Sequence, residues 1–149
     1  MFYYLFIFDE FKTQMMQKIE HIGIAVKDIE KSNTLFAALF GEEHYKIEDV
    51  LSEGVKTSFF QVGANKIELL EATNPDSPIA KFIEKKGEGI HHIAFAVADI
   101  KSEIQRLKKE GFTILNDVPK KGADHKLVTF LHPKSTNGVL VELCQDQSI

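Results

Sequence analysis

The sequence predicts an α+β fold made of two similar modules that share one core. Three features predict it. Residues 19–29, IEHIGIAVKDI, match residues 90–100, IHHIAFAVADI, at seven of eleven positions, and His21 falls on His92 (92 − 21 = 71). Residues 66–69, KIEL, resemble residues 140–143, LVEL, so Glu68 falls on Glu142 (142 − 68 = 74), with the drift of three taken up by loop length. Each copy also runs in the same order: a strand, a helix, then further strands. A repeat this long means two copies of one supersecondary unit. Two copies are too few for a solenoid, so the natural arrangement is a pair packed about a pseudo-twofold axis.

The elements follow in order. Ile19–Val26 and Ile90–Val97 are rich in β-formers. Asp28 and Asp99 stand where a helix N-cap is wanted. Ile29, Phe36 and Phe40 form the apolar stripe of the first helix, and Ile100, Ile104 and Leu107 that of the second. Gly41 and Gly111 then stop them. Thr57–Val62 and Lys66–Glu71 read as a hairpin around Gly63-Ala64-Asn65. In the second copy Lys126–Leu131 and Gly138–Cys144 are joined by the longer HPKSTN loop. Between the copies, Ser77-Pro78 caps a short helix with Ile79, Phe82 and Ile83 on one face, closed by Gly87 and Gly89.

Length and composition set the outer bounds. A chain of 149 residues, 44% hydrophobic and 27% charged, is one globular domain or two half-size modules on one core. A net charge of −4 leaves no basic footprint for nucleic acid. The one cysteine, Cys144, excludes an intrachain disulfide and suits a reducing cytoplasm. The opening MFYYLFIF is too short to span a bilayer, which takes about 20 residues, and no basic segment precedes it. Residues 1–16 read as an extension, non-native or disordered, or else as an apolar segment that docks on the domain. The domain is then 17–149, with modules of about 17–73 and 88–146.

The repeat places one His and one Glu at equivalent points of each copy. His21 shares a strand face with Gly23 and Ala25, and His92 with Ala94 and Ala96. Small neighbours leave room beside the imidazoles for a metal and its ligand. Glu68 and Glu142 lie in strands so apolar that an unpaired carboxylate would cost several kcal/mol there. Two imidazoles and two carboxylates related by a twofold make a divalent-cation site suited to cobalt, nickel, zinc, manganese or iron. His91 points away from His92 by strand alternation and reads as packed or supporting. His44 and His125 fall in loops. His132 and Lys134, in the HPK turn, are candidates for substrate contact, within a lysine cluster that includes Lys120, Lys121 and Lys126. Neither a phosphate-binding glycine loop nor a serine nucleophile motif is present.

These residues resemble the vicinal oxygen chelate superfamily, whose members bind a metal between βαβββ modules. The segments IEHIGIAVKDIEKS, KIELLEAT, DSPIAKFIEKKGEGIHHIAF and FLHPKSTNGVLVELCQ are similar to the methylmalonyl-CoA epimerase family within it, from about Met16 to Gln145. The resemblance implies metal ligands at His21, Glu68, His92 and Glu142, of which Glu68 is replaced by Gln in some members. It implies a divalent ion, cobalt first and manganese, nickel or zinc after it. It implies an acyl-CoA substrate, with no nucleic-acid or membrane partner, and a homodimer. One departure stands out. Some members carry an acid/base glutamate where GVKTSFF places Thr57, which cannot be a carboxylate base; Glu53 is a substitute, and Glu142 is the main acid/base candidate. The expected activity is metal-assisted inversion at C2 of methylmalonyl-CoA through an enolate. A glyoxalase I-like isomerase is the runner-up, disfavoured because Arg106 is the chain's one arginine. A ring-cleaving dioxygenase would leave Glu68 surplus. A metal-free binding protein on the same fold would have no use for both His/Glu pairs.

Overall fold

A computed structural model describes residues 15–147 of the chain. The apolar opening lies outside the described residues. The first module runs β1 (Met16–Ala25), α1 (Ile29–Phe40), β2 (Lys46–Val50), β3 (Val55–Val62) and β4 (Asn65–Ala72). After α2 (Pro78–Lys86), the second runs β5 (Gly89–Val97), α3 (Ile100–Lys109), β6 (Lys120–Lys121), β7 (Lys126–Leu131) and β8 (Val141–Asp146). Each is a βαβββ unit, as the resemblance implies.

The strands form one mixed sheet in the order β2-β3-β4-β1-β5-β8-β7-β6. The order is symmetric about the antiparallel β1–β5 pair. The register carries the symmetry down to single residues. His21 stands opposite Ala94 and Gly23 opposite His92, with Ile22 and Ile93 facing each other at the centre. Within the modules, Gly23 pairs with Glu68 across β1–β4, and Ala94 pairs with Glu142 across β5–β8. Both are parallel pairs, and both keep the sequence offsets of 71 and 74.

α1 and α3 cover one face of the sheet, whereas α2 packs through Ile79 on Ala25, Val55 and Leu70 beside the cleft. Asp28 and Asp99 cap α1 and α3 by accepting the amides of Lys31 and Ser102. Gly41 ends α1 in the left-handed region, which its missing Cβ permits. Ile29, Phe36 and Phe40 pack on Phe60 and Leu69, while Ile100, Ile104 and Leu107 pack on Leu131 and Leu143. Leu69 and Leu143 are repeat partners (143 − 69 = 74), and both are fully buried under their helices. Strand alternation then sends Glu68 and Glu142 to the opposite face, into the concave side. The mixed sheet is a half-barrel whose concavity holds the site.

Two departures from the sequence reading stem from the edges and the centre. The segment after His44 contains the edge strand β2, where polar residues alternate without an apolar face to announce them. The β1–β5 pairing is interrupted by register shifts at Gln17, Glu20 and His91. Glu20 and His91 are themselves repeat partners (91 − 20 = 71), so each module has a bulge immediately before its key histidine.

Candidate metal centre

The four repeat-paired side chains come together at the bottom of the concavity. Each comes from one of four adjacent strands: Glu68 on β4, His21 on β1, His92 on β5 and Glu142 on β8. All four are buried. His21 Nε2 and His92 Nε2 are 2.9 Å apart. Glu142 Oε2 lies 3.1 Å from His92 Nε2 and 3.8 Å from His21 Nε2, and Glu68 Oε2 lies 3.4 Å from His21 Nε2. His21, His92 and Glu142 offer donor atoms all within 4.8 Å of one another.

Among the described residues no lysine or arginine pairs with Glu68 or Glu142; their partners are the two histidines. Two carboxylates and two facing imidazole lone pairs in a buried pocket call for a cation at their centre. Protons supply part of it when no metal does. Burial opposes charge on His21, but Glu68, Glu20 and Glu142 outweigh it and raise its pKa to about 9. Burial raises Glu68 to about 7. Glu142 goes the other way: burial would raise it, yet His92 and His21 hold it below the usual carboxylate range. Of the two carboxyls it is therefore Glu68, and not Glu142, that burial raises toward neutrality.

The bulges explain how each imidazole is aimed. The Nδ1–H of His21 donates to Glu20 Oε2, leaving Nε2 for the centre. Burial works against a charge on Glu20, but hydrogen bonds from His21 and Lys66 hold it ionised. In the other module His91 Nδ1 lies 3.0 Å from His92 Nδ1. Burial and the neighbouring His92 lower the His91 pKa to about 4, so His91 is neutral and free to accept. We assign the proton to His92 Nδ1, which again leaves Nε2 facing the centre. His91 therefore does touch His92, because the bulge cancels the alternation that would separate them. Its counterpart Glu20 went unnoticed in the sequence, although the repeat itself aligns the two.

The space beside Gly23 is used by the protein itself. A Cβ there would sit 2.2 Å from His92 Cε1, so glycine is what lets the ring lie across β1. A cavity of about 300 Å³ opens above the four donors. Its walls include Val50, Val55, Leu70, Ile79, Leu115 and Phe130, with Thr57, Glu53, Lys120 and Lys126 among the polar lining. Glu53 thus faces the cleft, where it pairs with Lys120 at 3.3 Å. His132 and Lys134 do not line it: His132 Nδ1 accepts the Lys134 amide in the turn before β8. Glu20, His21 and Cys144 form a second close group. Glu20 is already engaged there, and burial pushes the Cys144 thiol well above its ordinary range.

A family model described as the Glyoxalase/Bleomycin resistance protein/Dioxygenase superfamily matches residues 20–130. The chain is 42% identical over 133 residues to the ethylmalonyl-CoA/methylmalonyl-CoA epimerase of Cereibacter sphaeroides, covering 88% of this chain and 99% of that one. The chain belongs to the methylmalonyl-CoA epimerase family of that superfamily. An uncharacterised Bacillus subtilis protein is 39% identical over 130 residues, covering 87% of this chain and 93% of its own. A Streptomyces coelicolor methylmalonyl-CoA epimerase solved with 2-nitronate-propionyl-CoA superposes with a TM-score of 0.86 at 35% identity, covering 90% of this chain and 97% of that one. The epimerase family therefore accounts for both the half-barrel and its place in the superfamily. The donor set of this chain fits the divalent ion its sequence implies: nitrogen and oxygen donors only, no lysine or arginine paired with either carboxylate among the described residues, and each histidine held from behind by the residue before it.

Proposed function

We propose that this chain interconverts the two C2 epimers of methylmalonyl-CoA, using a divalent metal held by His21, Glu68, His92 and Glu142. The observation that carries the reading is the buried four-donor centre, two side chains from each module, at the bottom of an apolar cleft. The C2 hydrogen of such a substrate lies between a thioester carbonyl and a carboxylate. Its removal builds negative charge beside a charge already present. A divalent ion, cobalt first and manganese, nickel or zinc next, supplies Lewis-acid stabilisation of that charge when bound.

The chain's own residues do the rest. Glu20 and His91 keep Nε2 of each histidine turned to the centre. The apolar walls limit water around the reacting carbon, which strengthens every electrostatic contact inside. Inversion needs a proton taken from one face and another delivered to the opposite face. The carboxylates lining the cavity are Glu53, Glu68 and Glu142. Glu142, from the second module, acts as acid/base on one side. Thr57 is an alcohol that keeps its proton at neutral pH and cannot serve as a base, so Glu53, from the first module, is the partner on the other side. Lys120, beside Glu53 at the cleft wall, meets the anionic part of the substrate. The family reading also carries a cytoplasmic homodimer, checked by sedimentation of the purified protein. A glyoxalase-like reaction finds less support, because Arg106 pairs with Glu103 on α3 and does not line the cleft.

The test is ligand removal. His21→Ala and His92→Ala should each abolish epimerisation and weaken metal binding by at least about 10–100-fold, the range of even indirect ligand support. Full turnover by exhaustively chelated protein contradicts the proposal.

A further inference from the structure

Behind the centre, on the side of His21 away from the cleft, lies a chain of charges that the reaction does not itself require. Lys66 on β4 stands beside His21 on β1 in the strand register. Its ammonium lies 2.8 Å from Glu20 Oε1 and 2.7 Å from Asp124 Oδ2. Glu20 uses its other oxygen on His21 Nδ1. Lys126 adds a second, longer contact to Glu20 at 3.6 Å and is tied to Asp146. Asp124 belongs to the turn between β6 and β7, next to Gly122 and Ala123, which line the cleft. Asp124 and His125 both have positive φ, 56° and 55°. A turn of two such non-glycine residues needs outside contacts to hold it.

Those contacts come from the far edge of the sheet. β2 and β6 are the two ends of the strand order and share no ladder. Yet Lys46 on β2 reaches Asp124 Oδ1 at 3.0 Å, and Glu48 on β2 accepts the Asp124 amide at 3.0 Å. Asp124 is thus a point where the half-barrel closes on itself, beside the Glu53–Lys120 pair, and Lys66 is the link from Asp124 to a metal-ligating histidine.

We propose that Lys66 and Asp124 are positioning residues that join the two free edges of the sheet to the His21 imidazole, so that the shape of the cleft wall and the aim of His21 are set together. Neither touches the centre; both act through Glu20. In the second module the place of Glu20 is taken by His91, whose Nδ1 lies 3.0 Å from His92 Nδ1, so no carboxylate–lysine chain stands behind His92 among the described residues. His21 is therefore the ligand whose aim depends on the charge chain.

The experiment has two arms. In metal-free protein, imidazole NMR of ¹⁵N-labelled histidine should show a slowly exchanging His21 Nδ1–H in wild type and Lys66→Arg, lost in Lys66→Met. In a chelator competition, Lys66→Met should bind cobalt about 10–100-fold more weakly, with Lys66→Arg close to wild type. Asp124→Asn, which keeps volume and removes charge at a partly buried position, should shift both readouts in the same direction and serves if Lys66→Met does not fold. The cobalt arm rests on the proposed function; the imidazole arm does not. Wild type that fails to bind cobalt contradicts the function and leaves the imidazole arm to decide this inference. Retention of the Nδ1–H signal and of cobalt affinity in Lys66→Met and Asp124→Asn overturns it. So does a Lys66→Arg variant as impaired as Lys66→Met, which would assign the effect to packing rather than charge.

Discussion

At the scale of single residues, the two carboxylates at the centre are equivalent by repeat and unlike by environment. Glu142 is held low by two histidines, whereas Glu68 is raised to about 7 by burial. The sequence shows the pairing but not this difference, which depends on which imidazole lies nearest each oxygen. Glu142→Gln should lower the epimerisation rate by at least ~100-fold, the lower range of an acid/base contribution, while Thr57→Ala changes it little. Steady-state rates of the two variants at saturating metal check this. The same environments set a pH dependence for the metal-free protein. His21 rises from 6.5 to about 9 on folding, so its stabilising contribution is complete below pH 6.5 and lost as pH climbs through 9. Glu68 rises from 4.5 to about 7, so its contribution is likewise lost with increasing pH, by about 7. Glu20 is lowered and acts in the opposite sense, losing its contribution below 4.5. The stability of metal-free protein should therefore fall between pH 6.5 and 9, by roughly 1–3 kcal/mol, and its melting temperature with it. Saturating metal, which takes the deprotonated ligands, should remove most of that fall. A metal-free melting temperature that rises over this interval contradicts the assignment.

At the scale of elements, the sequence announced the helices well because their signals are local. Asp28, Asp99 and Ser77 accept amides of the first turn, and Gly41 takes the left-handed end. The central strands were legible through their β-branched runs and their repeat. The short edge strands were not, because β2 and β6 are polar and owe their pairing to neighbours. The bulges were not legible either. Strand alternation put His91 out of reach of His92 and gave no reason to join Glu20 to His21. One extra residue in each strand changes that, and it turns the residue before each histidine into the group that aims it. Gly23 is the complementary feature of β1. The room beside it was read as space for a ligand, and it is filled by the His92 ring. Gly23→Ala should displace that ring, costing about 1–3 kcal/mol of stability as an overpacked core does, together with metal affinity. Unchanged metal binding in a folded Gly23→Ala protein, measured by calorimetry, contradicts this role.

At the scale of the whole molecule, the pseudo-twofold axis between Ile22 and Ile93 gives the cleft its form. Each module presents one His and one Glu, and neither alone could enclose a cation. Duplication therefore yields the donor set, and the differences between copies make it an asymmetric site. Glu20 answers to neutral His91, and Thr57 and Glu53 stand in the wall of the first module only. Metal-assisted inversion is tested by solvent deuterium uptake at C2 of methylmalonyl-CoA, followed by mass spectrometry with metal-loaded and metal-stripped protein. Uptake should accompany inversion in the loaded protein, both should be lost on stripping, and both should return when cobalt is added. Equal uptake and inversion in the stripped protein, or no uptake in protein shown to hold its full complement of metal, would contradict metal-assisted inversion.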